Sequence, residues 1–198
     1  MKKSTWFVLM FVAVLGQGCH DKREKPAVEK SFEIKQEVTE TTVRDTVLAG
    51  VLGEETGMSS LQLITDEGDT LSVTKTSFDG IEGKILGEIR NYTDRVMLMA
   101  KVKGKDEFGL LTFLNVSQLE GKWKSESQSL FLSADSTVQE SSLRYTHWRI
   151  DRCRLLLIGE NTTEYGVTQS VDTAYFDYFD ADSLHITIPR HGKIKFGK

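Results

Sequence analysis

The sequence contains few cysteines, 2 in 198 residues, and this count excludes a miniprotein held together by disulfides. It also lacks a strong excess of one charge, because 25 Lys and Arg stand against 29 Asp and Glu, for a net charge of −4. A slightly acidic chain has no general attraction to a phosphate backbone, so nucleic acid is not an expected partner. The hydrophobic fraction of 39% is ordinary for globular proteins and excludes a long disordered chain.

A long apolar run is missing as well. The uninterrupted apolar segment Trp6–Leu15 has ten residues. As a helix it would reach roughly 15 Å, about half of the hydrocarbon core of a bilayer, so it cannot span a membrane. Lys2 and Lys3 precede this segment and small or polar residues follow it, which is the pattern of a secretory signal.

Cys19 directly follows the signal pattern and is preceded by Gly18. This arrangement resembles the lipobox of bacterial lipoproteins, in the relaxed version of the Bacteroides group. The resemblance implies a signal peptide over residues 1–18 and a lipidated Cys19 that anchors the chain to a membrane of the cell envelope. Because His20 rather than Asp follows the cysteine, the analogy favours the outer membrane, with the chain facing the periplasm or the cell surface.

Residues 19–42 are rich in charged and polar side chains and show almost no apolar periodicity. We therefore expect a flexible tether that holds the folded part away from the lipid surface. Loss of residues 1–18 would remove two lysines and no acidic residue, so the net charge of the mature chain would be −6.

Beyond residue 42 apolar residues alternate with polar ones, which is the period of half-buried strands, and turn-forming residues separate the runs. A short helical turn is expected only within Ile81–Asn91. The pattern predicts an all-β protein of two small antiparallel β-barrels, over residues 43–118 and 119–198.

The segment 43–118 resembles the OB-fold in its layout, with three consecutive strands, a crossover and two more strands. Gly50 and Gly53 interrupt the long first strand and suit its bend. The five predicted strands are Val43–Leu52, Met58–Thr65, Asp69–Thr76, Arg95–Lys103 and Phe108–Val116.

The segment 119–198 opens with Gly121-Lys122-Trp123 and continues with an aliphatic strand, an Asp-centred turn at Asp135 and an aromatic strand containing Trp148. This order resembles the small lipocalin-like domains of secreted lipoproteins from Bacteroides-type bacteria. The resemblance implies that Trp123 plugs one end of the barrel. About 80 residues supply six or seven strands where a full lipocalin has eight, so we expect an open barrel or an interior filled by side chains.

The sequence shows no nucleophile with a base, no paired carboxylates and no phosphate loop, so an enzyme is not expected. No metal site and no cofactor are predicted, because the histidines do not lie at metal-ligand spacing. Cys153 is interpreted as a small buried hydrophobe; the alternative is a reactive or intermolecular thiol, favoured by Arg152 and Arg154, which would lower its pKa.

Five residues are candidates for a ligand or partner surface: Trp148, Arg149, Arg152, Tyr175 and Tyr178. Strand alternation places Arg149 on the face opposite Trp148. The same alternation places Phe176 and Tyr178 on one face of their strand, and Tyr175 and Phe179 on the other.

The sequence is compatible with two functions. The first is a lipid-anchored envelope protein with a lipocalin-like domain that binds a small apolar or amphipathic ligand without catalysis. The second is a structural lipoprotein, or one that senses envelope stress or the cell surface, acting through contacts with an envelope protein.

Overall fold

A computed structural model describes residues 42–90, 92–164 and 166–198. The predicted signal peptide, Cys19 and almost all of the predicted tether lie outside these residues. The described part of the chain is all-β, as predicted, with fourteen strands and one helix of four residues. Both barrels belong to one compact unit, Glu40–Lys198.

The first barrel has the strand order β3-β2-β1-β5-β6 and closes by pairing β3 with β6. This is the layout of an OB-like barrel, which confirms the prediction. The barrel is mixed rather than wholly antiparallel as predicted, because five strands that alternate in direction can close only through a parallel pair. Its strands, with the short β4, are β1 (Val43–Leu52), β2 (Ser60–Thr65), β3 (Thr70–Thr74), β4 (Lys84–Leu86), β5 (Arg95–Lys103) and β6 (Glu107–Asn115).

Strand β1 belongs to both halves of this barrel. It pairs with β5 from Val43 to Val51 and with β2 only at its end, from Gly50 to Leu52. At Gly50 the two strands come so close that a Cβ atom would lie 2.1 Å from the carbonyl oxygen of Ile64. Glycine is therefore required where β1 bends from one half of the barrel into the other.

The helical turn expected within Ile81–Asn91 is wrong. Residues Lys84–Leu86 form β4, which pairs in parallel with β6, and an isolated bridge joins Thr76 to Glu82. The segment is too short to offset the cost of a helix nucleus, whereas pairing with β6 buries Leu86 to 3% exposure.

The second barrel follows the four-residue helix α1 (Val116–Leu119) and is an antiparallel meander of eight strands. It contains one or two more strands than expected, because β7, β8 and β9 have only four residues each. Its strands are β7 (Gly121–Lys124), β8 (Ser129–Leu132), β9 (Val138–Ser141), β10 (His147–Asp151), β11 (Arg154–Thr163), β12 (Gly166–Phe179), β13 (Ser183–Ile188) and β14 (Gly192–Gly197).

The eight strands close almost completely. Strand β14 pairs with β7 through Gly197 and Lys124, so the two ends of the meander meet. Between β9 and β10 the sheet is open except for an isolated bridge between Thr137 and His147. The result is a near-barrel with the lipocalin-like strand order that the sequence predicted.

Side chains fill the interior of the second barrel. Trp123 is fully buried, its indole N–H donates to the Leu119 carbonyl at 2.7 Å, and its ring meets Phe179 edge-on. The second barrel therefore combines both features expected of a short lipocalin-like segment, a sheet that is open at one place and an interior filled by side chains. Further buried members of this core are Leu130, Leu132, Leu155, Leu157, Ala174, Leu184, Ile186, Ile188 and Phe196.

The core of the second barrel continues into the first. Leu86, Leu114 and Leu119 belong to the same hydrophobic cluster as Trp123, whereas a separate cluster fills the first barrel. The Gly87 amide also donates to the Phe179 carbonyl at 2.9 Å. The outer face of β4 and the end of β6 therefore pack directly against the second barrel.

Candidate functional site

The five candidate surface residues lie in three places. Arg152 and Tyr175 line a cavity of about 400 Å³ between the two barrels. Trp148 and Arg149 border a smaller cavity of about 240 Å³. Tyr178 lines neither of them, and its hydroxyl donates to Asp180 at 2.6 Å.

Strands of both barrels build the larger cavity, which we call the interbarrel cleft. The first barrel contributes β4, β5 and β6, and the second contributes β12 and the turn between β10 and β11. Leu86, Met99 and Phe176 give the cleft apolar walls, and Tyr175 is 47% exposed beside them. The complete lining is Lys84, Leu86, Met99, Thr112, Arg152, Cys153, Arg154, Tyr175 and Phe176.

The cleft is positively charged. Its lining contains Lys84, Arg152 and Arg154 and no acidic residue. Arg154 is paired with Asp151 at 3.0 Å, but among the described residues neither Lys84 nor Arg152 forms an ion pair. Lys84 Nζ instead donates to the Phe176 carbonyl at 2.7 Å, which holds the ammonium group beside the cleft. The pKa of Asp177 is lowered by its hydrogen bond with Thr187 and also by the charges of Lys193 and Lys84, so Lys84 is partly neutralised and Arg152 is the cation most available to an anionic ligand.

A strained turn presents Arg152 to the cleft. Asp151 pairs with Arg154, and the two residues between them have positive φ, 49° at Arg152 and 54° at Cys153. This is the geometry of the tightest β-hairpins, which usually place Asn and Gly at these positions. Each non-glycine residue there costs about 1 kcal/mol or more, so other contacts must hold the turn in place.

Cys153 provides those contacts. Its side chain is 5% exposed, its thiol donates to the Met97 carbonyl at 3.4 Å, and its amide donates to the Met97 sulfur at 3.5 Å. Burial raises the pKa of this thiol to about 12. The alternative of a reactive thiol activated by neighbouring arginines is therefore wrong, and Cys153 serves as a buried anchor between the barrels.

Trp148 belongs to the core rather than to a surface. It is 5% exposed, and its indole N–H donates to the Ser133 carbonyl at 2.9 Å. Arg149 is exposed on the opposite face of β10, as the alternation predicted.

The alternation predicted for the aromatic residues of β12 is wrong. The register of β12 against β13 shifts between Phe176 and Tyr178. This β-bulge places Phe176 and Phe179 in the core and leaves Tyr175 and Tyr178 about half exposed. The two tyrosines thus remain on the surface, although they do not share a cavity.

Sequence reasoning missed Lys84 and Met99. Lys84 lies in the crossover where a helical turn was expected, so its position beside the cleft was not predicted. Met99 carried a usable signal, because β5 has apolar side chains on both faces, with Met97 and Met99 opposite Val96 and Leu98. A strand that is apolar on both faces indicates that another element covers its outer face.

Among the described residues there is no group of three or more His, Cys, Asp and Glu side chains placed to hold a metal ion. The described ranges also contain no helix with the length and hydropathy of a membrane span.

Comparison with protein-family models, with curated proteins and with solved structures finds no match. Both fold assignments therefore rest on strand order and register.

Proposed function

We propose that this chain is a non-catalytic binding protein of the bacterial cell envelope that holds a small amphipathic anion in the interbarrel cleft. One observation carries the proposal: a cavity of about 400 Å³ combines apolar walls with three cations and no acid. Ligand pockets have volumes of about 300 to 1,000 Å³ and mostly apolar walls with a few convergent polar groups.

The charge of the cleft favours a carboxylate or phosphate headgroup. The whole chain is acidic, so a local group of cations without acids is a selective feature rather than a general property of its surface. The guanidinium of Arg152 can bind two oxygens of a carboxylate or phosphate at once, and Lys84 can add a point charge. The apolar part of the ligand would lie against Leu86, Met99 and Phe176.

The cleft is a better candidate than the interior of the lipocalin-like barrel. Side chains such as Trp123, Leu132 and Leu157 are fully buried and occupy that interior. A ligand there would have to displace well-packed side chains, at a cost of several kcal/mol.

The location in the envelope rests on the sequence. The apolar segment Trp6–Leu15 followed by Cys19 is the signal of an exported, lipid-anchored chain, with the outer membrane as the favoured destination. The tether proposed for residues 19–42 would let the barrels reach ligands away from the lipid surface.

Calorimetric titration with dodecanoate tests the proposal, using protein without the first 39 residues, which retains the compact unit and needs no detergent. We expect binding of dodecanoate and much weaker binding of dodecanol, which has the same chain and no charge. Arg152→Gln should weaken dodecanoate binding about fivefold to tenfold or more, because it removes a charge-assisted hydrogen bond.

Arg149→Gln is the matched control. It removes the same charge from an exposed arginine three positions away that does not line the cleft. Equal weakening by both substitutions would show a general charge effect and contradict the proposal. So would equal affinity for dodecanoate and dodecanol.

A protein partner is the second candidate. Strand β12 carries the apolar side chains Val167, Val171 and Tyr175 on one face, and they are 62%, 51% and 47% exposed. Exposed apolar residues in a row are typical of interaction surfaces. The titration separates the two candidates, because a chain that binds neither dodecanoate nor dodecanol leaves this face of β12 as the better-supported functional surface.

A further inference from the structure

The first part of strand β1 has a pairing partner on only one of its edges. Pairing with β5 covers β1 from Val43 to Val51, whereas pairing with β2 covers only Gly50 to Leu52. Within the described ranges no strand lies along the second edge between Val43 and Leu48. We call this segment the β1 edge. An unpaired row of backbone donors and acceptors can take up a strand of another chain.

Two hydrogen bonds at the far end of β1 show which residues face the β1 edge. The Leu52 amide donates to the Asp94 carbonyl, just before β5, and the Ala49 carbonyl accepts from the Asp66 amide, just after β2. Because backbone groups alternate in direction along a strand, even-numbered residues of β1 bond to β5 and odd-numbered residues face the other way. The outward-facing residues of the β1 edge are Val43, Asp45 and Val47.

The side chains of these three residues form a simple pattern on the outside of the barrel. Val43 and Val47 are 46% and 41% exposed, and Asp45 is exposed between them. Asp45 forms no ion pair with another described residue. Lys101 lies opposite Asp45 in the register, but the pKa of Lys101 is raised chiefly by its hydrogen bond with Asp79 and least by the charge of Asp45. The β1 edge therefore presents an anion between two apolar side chains.

A second copy of this chain fits the β1 edge poorly. Antiparallel pairing of two copies matches all three outward-facing residues only in the register centred on Asp45, which places the two Asp45 side chains directly opposite each other. Like charges in that position destabilise a strand pair. The neighbouring register would engage Ala49, whose carbonyl already accepts from Asp66. A different strand with a cation at the central position meets neither obstacle.

We infer that the β1 edge binds an extended segment of another protein by strand addition, and that this segment carries Lys or Arg midway between two apolar residues in its alternating pattern. Its backbone would hydrogen-bond to Val43, Asp45 and Val47. Its cation would pair with Asp45, and its apolar side chains would lie against the two valines. In this mode main-chain hydrogen bonds give affinity and the alternate side chains give specificity. The inference is independent of ligand binding in the interbarrel cleft, because none of these residues lines the cleft.

The test is amide hydrogen exchange, followed by NMR on the isotope-labelled full chain in detergent micelles. The probe is the acetylated and amidated peptide Thr-Val-Thr-Lys-Thr-Val-Thr at millimolar concentration. We expect the amides of Val43, Asp45 and Val47 to exchange about threefold or more slowly with the peptide than without it. The amides of Arg44 and Thr46 already bond to β5 and should change little, so they serve as an internal reference.

Substitutions in the β1 edge test the charge and the backbone separately. Asp45→Asn should weaken binding of the lysine peptide about twofold to fivefold, because an opposite-charge pair across two strands is lost. Asp45→Lys should bind the same peptide with Glu in place of Lys more tightly than the lysine peptide. Val47→Pro removes an outward-facing amide and should weaken binding about fivefold or more. Unchanged exchange at Arg44 and Thr46 would show that the barrel of Val47→Pro is intact.

Asp106→Asn is the matched control, because it removes the same charge from an exposed residue outside the β1 edge. It should leave the affinity unchanged, and equal weakening by Asp45→Asn and Asp106→Asn would overturn the inference. So would equal binding of the lysine and glutamate peptides to the natural chain, or no slowing of exchange by the lysine peptide. Slowing that rises with protein concentration in the absence of peptide would show that a second copy occupies the edge, which also overturns the inference.

Discussion

Cys153 combines a strained backbone with a buried thiol. Its positive φ belongs to the hairpin turn that carries Arg152 into the interbarrel cleft, and its side chain packs against Met97 of the first barrel. The free energy lost in the turn is therefore offset by contacts between the barrels. Arg152 is held at the cleft by a packing interaction of its neighbour rather than by an ion pair of its own.

The first prediction concerns the pH dependence of stability. Burial raises the pKa of the Cys153 thiol from 9.0 to about 12, so the folded state keeps a proton that the unfolded state loses above about pH 9. Stability should therefore fall between about pH 9 and pH 12, by at most about 1.4 kcal/mol per pH unit from this group. The measurement is urea unfolding at several pH values, with Cys153→Ala for comparison.

The stability advantage of the unsubstituted protein over Cys153→Ala should shrink as the pH rises through this window. Tyr145, whose pKa burial also raises, is present in both proteins and cancels in the difference. A constant difference in unfolding free energy from pH 8 to pH 11 would contradict the prediction.

At the scale of the element, β4 and the residues after it connect the two barrels. Gly87 has φ +83°, and a Cβ atom there would lie 2.8 Å from Asn115 Cβ and 3.0 Å from the ring of Phe179. Asn115 is fully buried, caps α1 and donates to the Glu88 carbonyl and to Asp94. The crossover is thus fixed between a buried amide and the second barrel.

We expect Gly87→Ala to destabilise the protein by about 2 to 4 kcal/mol, from the positive φ and from overpacking against Asn115 and Phe179. Gly80→Ala is the matched control, because Gly80 also has positive φ, +76°, but open space around it. It should cost only about 1 kcal/mol. Urea unfolding measures both, and equal costs would show that the contact between the barrels is not tight at Gly87.

The alternation of buried and exposed side chains predicts the faces of a strand correctly until a β-bulge shifts the register of that strand. The bounds of β1 and β5 were predicted correctly, and in β5 buried residues alternate regularly with more exposed ones over nine residues. In β12 the bulge near Asp177 inserts one residue into that pattern, and the faces predicted for Tyr178 and Phe179 are exchanged. A bulge depends on pairing with the partner strand, so the sequence of one strand does not reveal it.

At the scale of the whole molecule, the cleft could not be predicted because its residues come from distant parts of the chain. Lys84, Met99 and Arg152 meet only once two barrels pack against each other. The sequence predicted two barrels and Arg152 and Tyr175 as surface candidates, but it contains no simple pattern for the packing of one barrel on another. The apolar outer face of β5, with Met97 and Met99, was the one local signal of that contact.

Membrane attachment is a prediction at the same scale. If Cys19 carries the lipid, cells grown with radioactive palmitate should label the chain, and Cys19→Ser should abolish the label. Cys153→Ser is the control and should keep the label, because that thiol is buried between the barrels. Labelling of Cys19→Ser at the level of the natural chain would exclude the lipid anchor.

The seam between β14 and β7 sets the order in which the second barrel can form. Gly197 and Lys124 pair across about seventy residues of chain, and Lys198 lies over the ring of Trp123 with its Nζ 4.6 Å from the ring centre. Bringing β14 to β7 costs the entropy of closing a long loop, which slows folding. Trp123 stays uncovered on that side until β14 has been made. A chain that crosses a membrane unfolded would therefore complete this barrel only after β14 has emerged on the far side.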